Sequence, residues 1–293
     1  MHGDRPGVSG SFVNSRGAKL QTKTWRPDDD PSAAVIFLHG WGMSVTNNKA
    51  WQRVANEHTG RGLLCTGLDY AGHGQSEGKR SYIFAEDLAL TVDDVLQHVR
   101  DFAENHPGLP MFLRSQSLGG LVAILAALRE PQLFKGLALG APPFELAGVF
   151  GLLDRWNLVR WHSVPAAAAL VRKDVGNLAT PLAVFQGLED STCAPLGARQ
   201  LCHAAGSQDK SLYLYKDMGH NMSMEPDVLD WLLSRQSGAE RAAGGMVLCI
   251  RKPLPGVPWP PPPGCGQAAS NTELEVVPDA DQSRILDELL PER

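Results

Sequence analysis

One short stretch of this chain forces a strand to turn directly into a helix with a serine on the bend. Met111-Phe112-Leu113 reads as an apolar strand, and Leu121 to Leu128 reads as a helix apolar nearly all round, suited to burial. Between them lies Ser115-Gln116-Ser117-Leu118-Gly119. Small residues two before and two after Ser117 let strand and helix approach, and the sharp bend lifts the hydroxyl clear of the backbone. Gly119 fills the second small position and Ser115 the first. Similar runs alternate along most of the chain. That alternation predicts an α/β protein with a mostly parallel central sheet and helices on both faces. An antiparallel pair is expected first, at Gly10–Asn14 and Lys19–Trp25, then a helix over Trp51–His58 and a strand over Leu63–Leu68. Phe84 to Asn105 is the clearest amphipathic helix. Leu88, Val92, Val95, Leu96, Val99 and Phe102 form its apolar stripe, and Pro107 stops it. Phe134–Leu139 is expected as a strand, with helices over Leu196–Ala205 and Asp227–Leu233 closing the fold.

A serine hydroxyl is a weak nucleophile until a neutral imidazole takes its proton, and the imidazole needs a carboxylate to hold its tautomer. Both groups follow in order. Pro181 to Gly187 reads as a buried strand delivering Glu189-Asp190 at its carboxyl end, and Ser211 to Tyr215 runs into Asp217-Met218-Gly219-His220. The assignment is Ser117 as nucleophile, His220 as base and then acid, and Asp190 as the orienting carboxylate. Plainer readings exist for each: Ser117 as a helix N-cap, Asp190 as a turn residue beside a functional Glu189, His220 as a loop histidine.

The chemistry also needs donors for a developing oxyanion, and backbone N–H groups supply them without reorganisation. Ala33 to Leu38 is a buried-strand run that empties into His39-Gly40-Trp41-Gly42. Leu118, at the start of a helix, and Trp41, in this loop, are the expected donors. The alternative is a glycine-rich turn with no such duty.

These residues resemble a known family. His39-Gly40-Trp41-Gly42, then Leu68-Asp69-Tyr70-Ala71-Gly72-His73-Gly74-Gln75-Ser76-Glu77-Gly78, are similar to the monoacylglycerol lipase and lysophospholipase group of serine hydrolases. Ser117-Leu118-Gly119-Gly120, Gln186-Gly187 with Asp190, and Gly219-His220 complete the match, which covers roughly residues 8 to 236. The resemblance implies an α/β-hydrolase fold, a Ser117–Asp190–His220 triad and an oxyanion hole at Trp41 and Leu118. It also implies hydrolysis of monoacylglycerol or a similar single-chain lipid ester through an acyl-enzyme, with no cofactor and no metal. The alternatives are a lysophospholipase or small-ester esterase, and an α/β-hydrolase scaffold without catalysis. Cys193 falls where some animal members place a cysteine near the site. Two departures stand out. The bend reads Ser-Gln-Ser where Gly-His-Ser or Gly-Glu-Ser is usual. The stretch available for a helical cap, Pro142 to Thr180, is short. Phe144, Phe150, Leu152, Trp156 and Trp161 make that cap rich in large apolar residues. Such a cap suits a lipid substrate and transient contact with a membrane surface, or equally an ordinary cap core. His73 and Asp69 are expected to fix their own loop.

The remaining features mainly exclude. A net charge of −5 with no basic run leaves no footprint for nucleic acid. The first residues lack an apolar signal core, and no apolar stretch reaches the length of a membrane span. Cysteines 65, 193, 202, 249 and 265 show no metal spacing and read as free thiols in a reducing, cytoplasmic setting. After Ser237 the character changes: Pro253 to Pro263 holds seven prolines in eleven residues. Residues 1–237 are expected as the catalytic domain and 238–293 as a mostly disordered tail. That tail either docks a proline-binding module or has no selected role, with one helical turn near Ile285–Leu290.

Overall fold

The computed structural model describes residues 5–80, 85–147, 163–221, 225–236, 246–253 and 272–291. Ten strands form one sheet in the order β1-β2-β4-β3-β5-β6-β7-β8-β9-β10. Strands β1 (Val8–Val13) and β2 (Lys19–Trp25) open it as the expected antiparallel pair, and β2 also runs antiparallel to β4 (Leu63–Leu68). From β4 through β3 (Ala33–Leu38), β5 (Met111–Gln116), β6 (Gly136–Gly140), β7 (Leu182–Gly187), β8 (Lys210–Tyr215) and β9 (Met246–Pro253) every pairing is parallel. Strand β10 (Thr272–Val277) closes the far edge antiparallel to β9.

Parallel strands buried on both faces need apolar residues at every position, and β3 shows how the two cores divide. Ala34, Ile36 and Leu38 enter one core; Ala33, Val35 and Phe37 enter the other. The larger core receives helix α2 (Ala85–Asn105), helix α3 (Leu118–Arg129) and helix α4 (Ser163–Asp174). It also takes helix α5 (Pro195–Ala204) and helix α7 (Asp279–Leu289). The smaller core is covered by helix α1 (Lys49–Thr59) and helix α6 (Glu225–Gln236). The α2 stripe read from sequence, Leu88 to Phe102, is buried throughout. On the other face Trp231 of α6 packs so tightly over β6 that a Cβ on Gly136 would lie 2.7 Å from its ring. Filling such a gap costs roughly 1–3 kcal/mol.

Two expectations change. The stretch Pro142–Thr180 is not all cap: α4 buries Ala167, Ala168 and Val171 in the larger core. Residues 148–162, with most of the apolar side chains expected there, lie outside the described residues. Phe144 and Leu146 are described, and both pack on the larger core. The second change concerns residues 238–293. Met246–Pro253 and Thr272–Val277 are sheet strands, and Asp279–Leu289 is a full helix rather than one turn. Arg251 on β9 pairs bidentately with Asp227 of α6, its Nε donating at 2.7 Å. Arg199 of α5 donates to the Leu290 carbonyl at 2.9 Å and to Asp287 at 2.7 Å. The proline-rich run itself lies within 254–271, outside the described residues apart from Pro253.

Candidate active site

Strand β5 ends at Gln116 and α3 begins at Leu118, leaving Ser117 alone to make the turn. It does so at φ 52° and ψ −125°, a positive φ that non-glycine residues rarely adopt. Such strain persists where the surroundings enforce it. Here the Ser117 N–H donates to the Gly140 carbonyl at 2.8 Å, and its own carbonyl accepts from Gly120 N–H at 2.7 Å. Gly119 is required: a Cβ there would lie 2.4 Å from the Leu38 carbonyl oxygen. Ser115 is buried and its hydroxyl donates to the Ala138 carbonyl at 3.4 Å, so the departure from glycine at that position is accommodated. Ser117 occupies the N-cap position, yet its side chain makes no capping bond. The hydroxyl is left for other work.

His220 lies in the loop after β8, and its Nδ1 is 2.8 Å from Asp190 Oδ2. Asp190 is buried, and both its oxygens are occupied. Oδ1 accepts the N–H groups of Thr192 at 2.8 Å and Cys193 at 2.9 Å; Oδ2 accepts Gln186 Nε2 at 3.1 Å beside His220. Burial pushes this carboxyl up, but the His220 hydrogen bond and the two N–H donors outweigh it and hold it below its ordinary value. Asp190 therefore stays charged and keeps a proton on the imidazole's Nδ1, leaving Nε2 to accept. Glu189, the alternative acid, touches this loop through its backbone N–H, which donates to the Met218 carbonyl at 2.9 Å. The acid turn is tied to the start of the cap stretch, where Ala147 N–H donates to Thr192 O and Ala194 N–H to Glu145 O. Cys193 is buried here, its thiol near Ser117. Burial and the Asp190 charge push that thiol well up despite the opposing influence of Ser117.

The loop after β3 closes over the turn. A Cβ on Gly40 would lie 3.2 Å from the Ser117 Cβ, so the two backbones nearly touch. Trp41 follows, exposed, and Leu118 heads α3. His39, whose function sequence reasoning missed, braces this loop. Its Nε2 accepts the Tyr70 N–H at 3.1 Å, so Nδ1 carries the proton and donates to the Gly40 carbonyl at 2.7 Å. Complete burial lowers its pKa to about 4, with the Gly40 bond opposing and the neighbouring His73 adding to the shift. Asp69 plays the structural part expected. It accepts from the N–H groups of Val45, Thr46 and Gln75 and from the Thr46 hydroxyl. Gln116 was also missed as a functional group: its Nε2 donates to the His220 carbonyl at 3.0 Å. Its odd place in the bend was the only signal.

A mostly parallel sheet, a serine on a strained strand-to-helix bend and an Asp–His pair on the next loops define an α/β-hydrolase. The family model described as serine aminopeptidase, S33 (Hydrolase_4) matches residues 29–167 and 157–227, and the chain belongs to this family of serine hydrolases. Human monoglyceride lipase is 31% identical over 262 residues, covering 74% of this chain and 85% of that protein. Monoacylglycerol lipase of Mycolicibacterium smegmatis is 27% identical over 274 residues, covering 76% and 96%. A soluble variant of the monoglyceride lipase of Saccharomyces cerevisiae superposes with a TM-score of 0.68 at 15% identity, covering 83% of this chain and 98% of that one. Est1E of Butyrivibrio proteoclasticus gives 0.65 at 19%, covering 78% and 100%.

Proposed function

We propose that this chain hydrolyses monoacylglycerol or a similar single-chain lipid ester, with Ser117, His220 and Asp190 as the triad. The observation that carries the reading is the 2.8 Å bond from His220 Nδ1 to Asp190, in a loop that Gln116, the residue before Ser117, ties to the serine turn at 3.0 Å. Ser117 Oγ attacks the acyl carbon as His220 Nε2 takes its proton. The oxyanion that forms is met by the N–H groups of Leu118 and Trp41, the loss of one such donor costing about 3–4 kcal/mol. Collapse expels the glycerol oxygen, which receives the proton from His220. Water then repeats the sequence on the acyl-enzyme, giving the fatty acid and free Ser117. No step calls for a cofactor.

The lipid substrate is supported by the monoglyceride lipases among the relatives. It is supported too by the apolar side chains carried in the cap stretch, such as Phe150, Trp156 and Trp161. Those residues suit a peripheral, cytoplasmic enzyme that touches membranes transiently. Among the described residues no helix is long and apolar enough to cross a membrane. The proline-rich run between β9 and β10 is the segment a proline-binding module would read. A second reading, a lysophospholipase or small-ester esterase, is favoured by the loss of 163–174 to the core, which shortens the cap further.

The test is labelling with a fluorophosphonate probe, located by mass spectrometry, alongside a chain-length series of monoacylglycerols. Labelling at Ser117, absent from Ser117→Ala, and rates that rise toward long acyl chains are expected. Rates peaking at acetate or butyrate would transfer the proposal to the small-ester reading. Folded protein that takes no label would overturn both.

A further inference from the structure

Asp190 and Cys193 come from one turn, and His220 from the next loop. The ligand atoms of the three all lie within 4.8 Å of one another. The turn fixes the first pair, because the Cys193 N–H donates to Asp190 Oδ1 at 2.9 Å. The thiol also lies near the Ser117 side chain. A carboxylate oxygen, an imidazole nitrogen, a sulfur and a hydroxyl thus converge on one small volume. Hydrolysis uses three of these groups; the sulfur has no part in it. We propose that Asp190, Cys193 and His220 form an inhibitory site for a thiophilic divalent cation of the zinc class. This inference rests on the same triad assigned above, read as a ligand set.

The donor chemistry fits. Zinc takes sulfur, nitrogen and carboxylate oxygen in tetrahedral sites with metal–ligand distances of about 2.0–2.3 Å, so neighbouring donors stand roughly 3–4 Å apart. The present spacing, within 4.8 Å, is about 1 Å wider than that. Hard cations such as magnesium prefer all-oxygen shells and octahedral geometry, and are excluded by the sulfur and nitrogen. The proton balance is simple. The thiol proton leaves to solvent, and the imidazole stays neutral by moving its proton from Nδ1 to Nε2 as Nδ1 takes the metal. One proton is released per cation, and binding weakens as pH falls. Burial keeps the Cys193 thiol protonated without a metal, because a lone buried thiolate is unfavourable. The bound cation removes the acceptor nitrogen from Ser117 and the carboxylate from His220, so turnover stops while the fold is untouched.

The experiment uses the full chain and two probes, Zn²⁺ and Cd²⁺. Zn²⁺ should inhibit ester hydrolysis reversibly, a chelator restoring it. Cys193→Ala, normalised to its own metal-free rate, should need roughly tenfold more Zn²⁺ or greater. One equivalent of Cd²⁺ should produce an ultraviolet thiolate-to-metal absorption that Cys193→Ala lacks; Cys193→Ser serves if the alanine variant does not fold. Ser117→Ala, without turnover, should keep that absorption. A band in Ser117→Ala beside a wild type that hydrolyses no ester would sink the functional reading and leave the metal site standing. Equal Zn²⁺ inhibition in Cys193→Ala, or a Cd²⁺ band unchanged by that substitution or missing from the wild type, would overturn the site.

Discussion

Strand β5 is buried along its whole length and α3 behind it is apolar nearly all round, whereas β10 at the sheet's far edge leaves Leu274 and Val276 to solvent. The Ser117 turn is held by its backbone: close packing of Gly119 on the Leu38 carbonyl, and main-chain bonds from Ser117 to Gly140 and Gly120. The segment after residue 245 is tied to the domain by charged side chains, Arg251 to Asp227 and Arg199 to Asp287 and Leu290. The first kind of placement can be damaged chemically without being unfolded. The second can be loosened without any catalytic group being changed. The family match ends at residue 227, so the second kind belongs to a part of the chain the family model does not describe.

The largest effect should come from the first region. Asp190→Asn removes the charge that fixes the His220 tautomer, and kcat should fall about 10⁴-fold. The thermal midpoint should stay nearly constant, since the amide can still accept from Thr192 and Cys193. Glu189→Gln should leave steady-state kinetics close to wild type. If Glu189→Gln were the damaging change, the acid assignment would be wrong.

Arg251→Leu attacks the second region. Asp227 would be left buried with the Tyr215 hydroxyl, now 2.7 Å away, as its remaining described partner. Breaking one side of such a pair costs about 3–5 kcal/mol. A urea titration should show that loss, with probe labelling per folded molecule changed little. Replacing Asp227 by leucine as well should recover part of the stability, because the uncompensated charge is gone. No recovery would mean the pair acts through more than its charge.

Legibility followed the same division. The β5–Ser117–α3 unit, the β3 loop and the two downstream strands were readable because residue pattern and chemistry coincide in each. In β9, Met246-Val247-Leu248-Cys249-Ile250 is apolar enough for a strand. The glycine-rich and proline-rich stretches on either side outweighed that signal in the sequence. What settles its place is the parallel pairing with β8 and the buried carboxylate of Asp227, neither of which is local. The cap was over-extended for the opposite reason. Large apolar residues precede α4, but its own Ala167, Ala168 and Val171 are small enough to pack against α2 and α3.

Acid should separate the regions again. His39 is lowered from 6.5 to about 4, chiefly by burial; His98 likewise to about 4, and His58 to about 3. Between the two values the unfolded chain binds a proton that the folded chain refuses. Stability is therefore full above about pH 6.5 and falls as pH drops toward 4, by about 3 kcal/mol for His39 alone. Residues 246–291 contain no histidine. The Arg251→Leu/Asp227→Leu double variant, which leaves no buried carboxylate unpaired, should then lose stability over the same pH interval and by the same amount. A slope altered by that pair of substitutions would show that the two regions do not titrate independently.

The smallest predicted effect lies where the sequence departs from its family. Gln116 donates to the backbone carbonyl of His220, joining the turn that carries Ser117 to the loop that carries His220. An amide can do this at any pH, because it does not titrate. Gln116→Met keeps the bulk and loses the donor, and a hydrogen bond of this kind contributes about 1 kcal/mol. A fall in kcat of roughly fivefold to tenfold with KM unchanged is expected. Gln116→Glu should be worse near neutral pH, since a carboxylate cannot donate and repels the carbonyl, and should improve as acid protonates it. If both variants slow ester turnover and fluorophosphonate labelling together while thermal midpoints hold, the bond positions His220 against Ser117. If midpoints fall and labelling per folded molecule does not change, Gln116 is packing, and the nucleophile turn needs nothing from the histidine loop to be correctly placed.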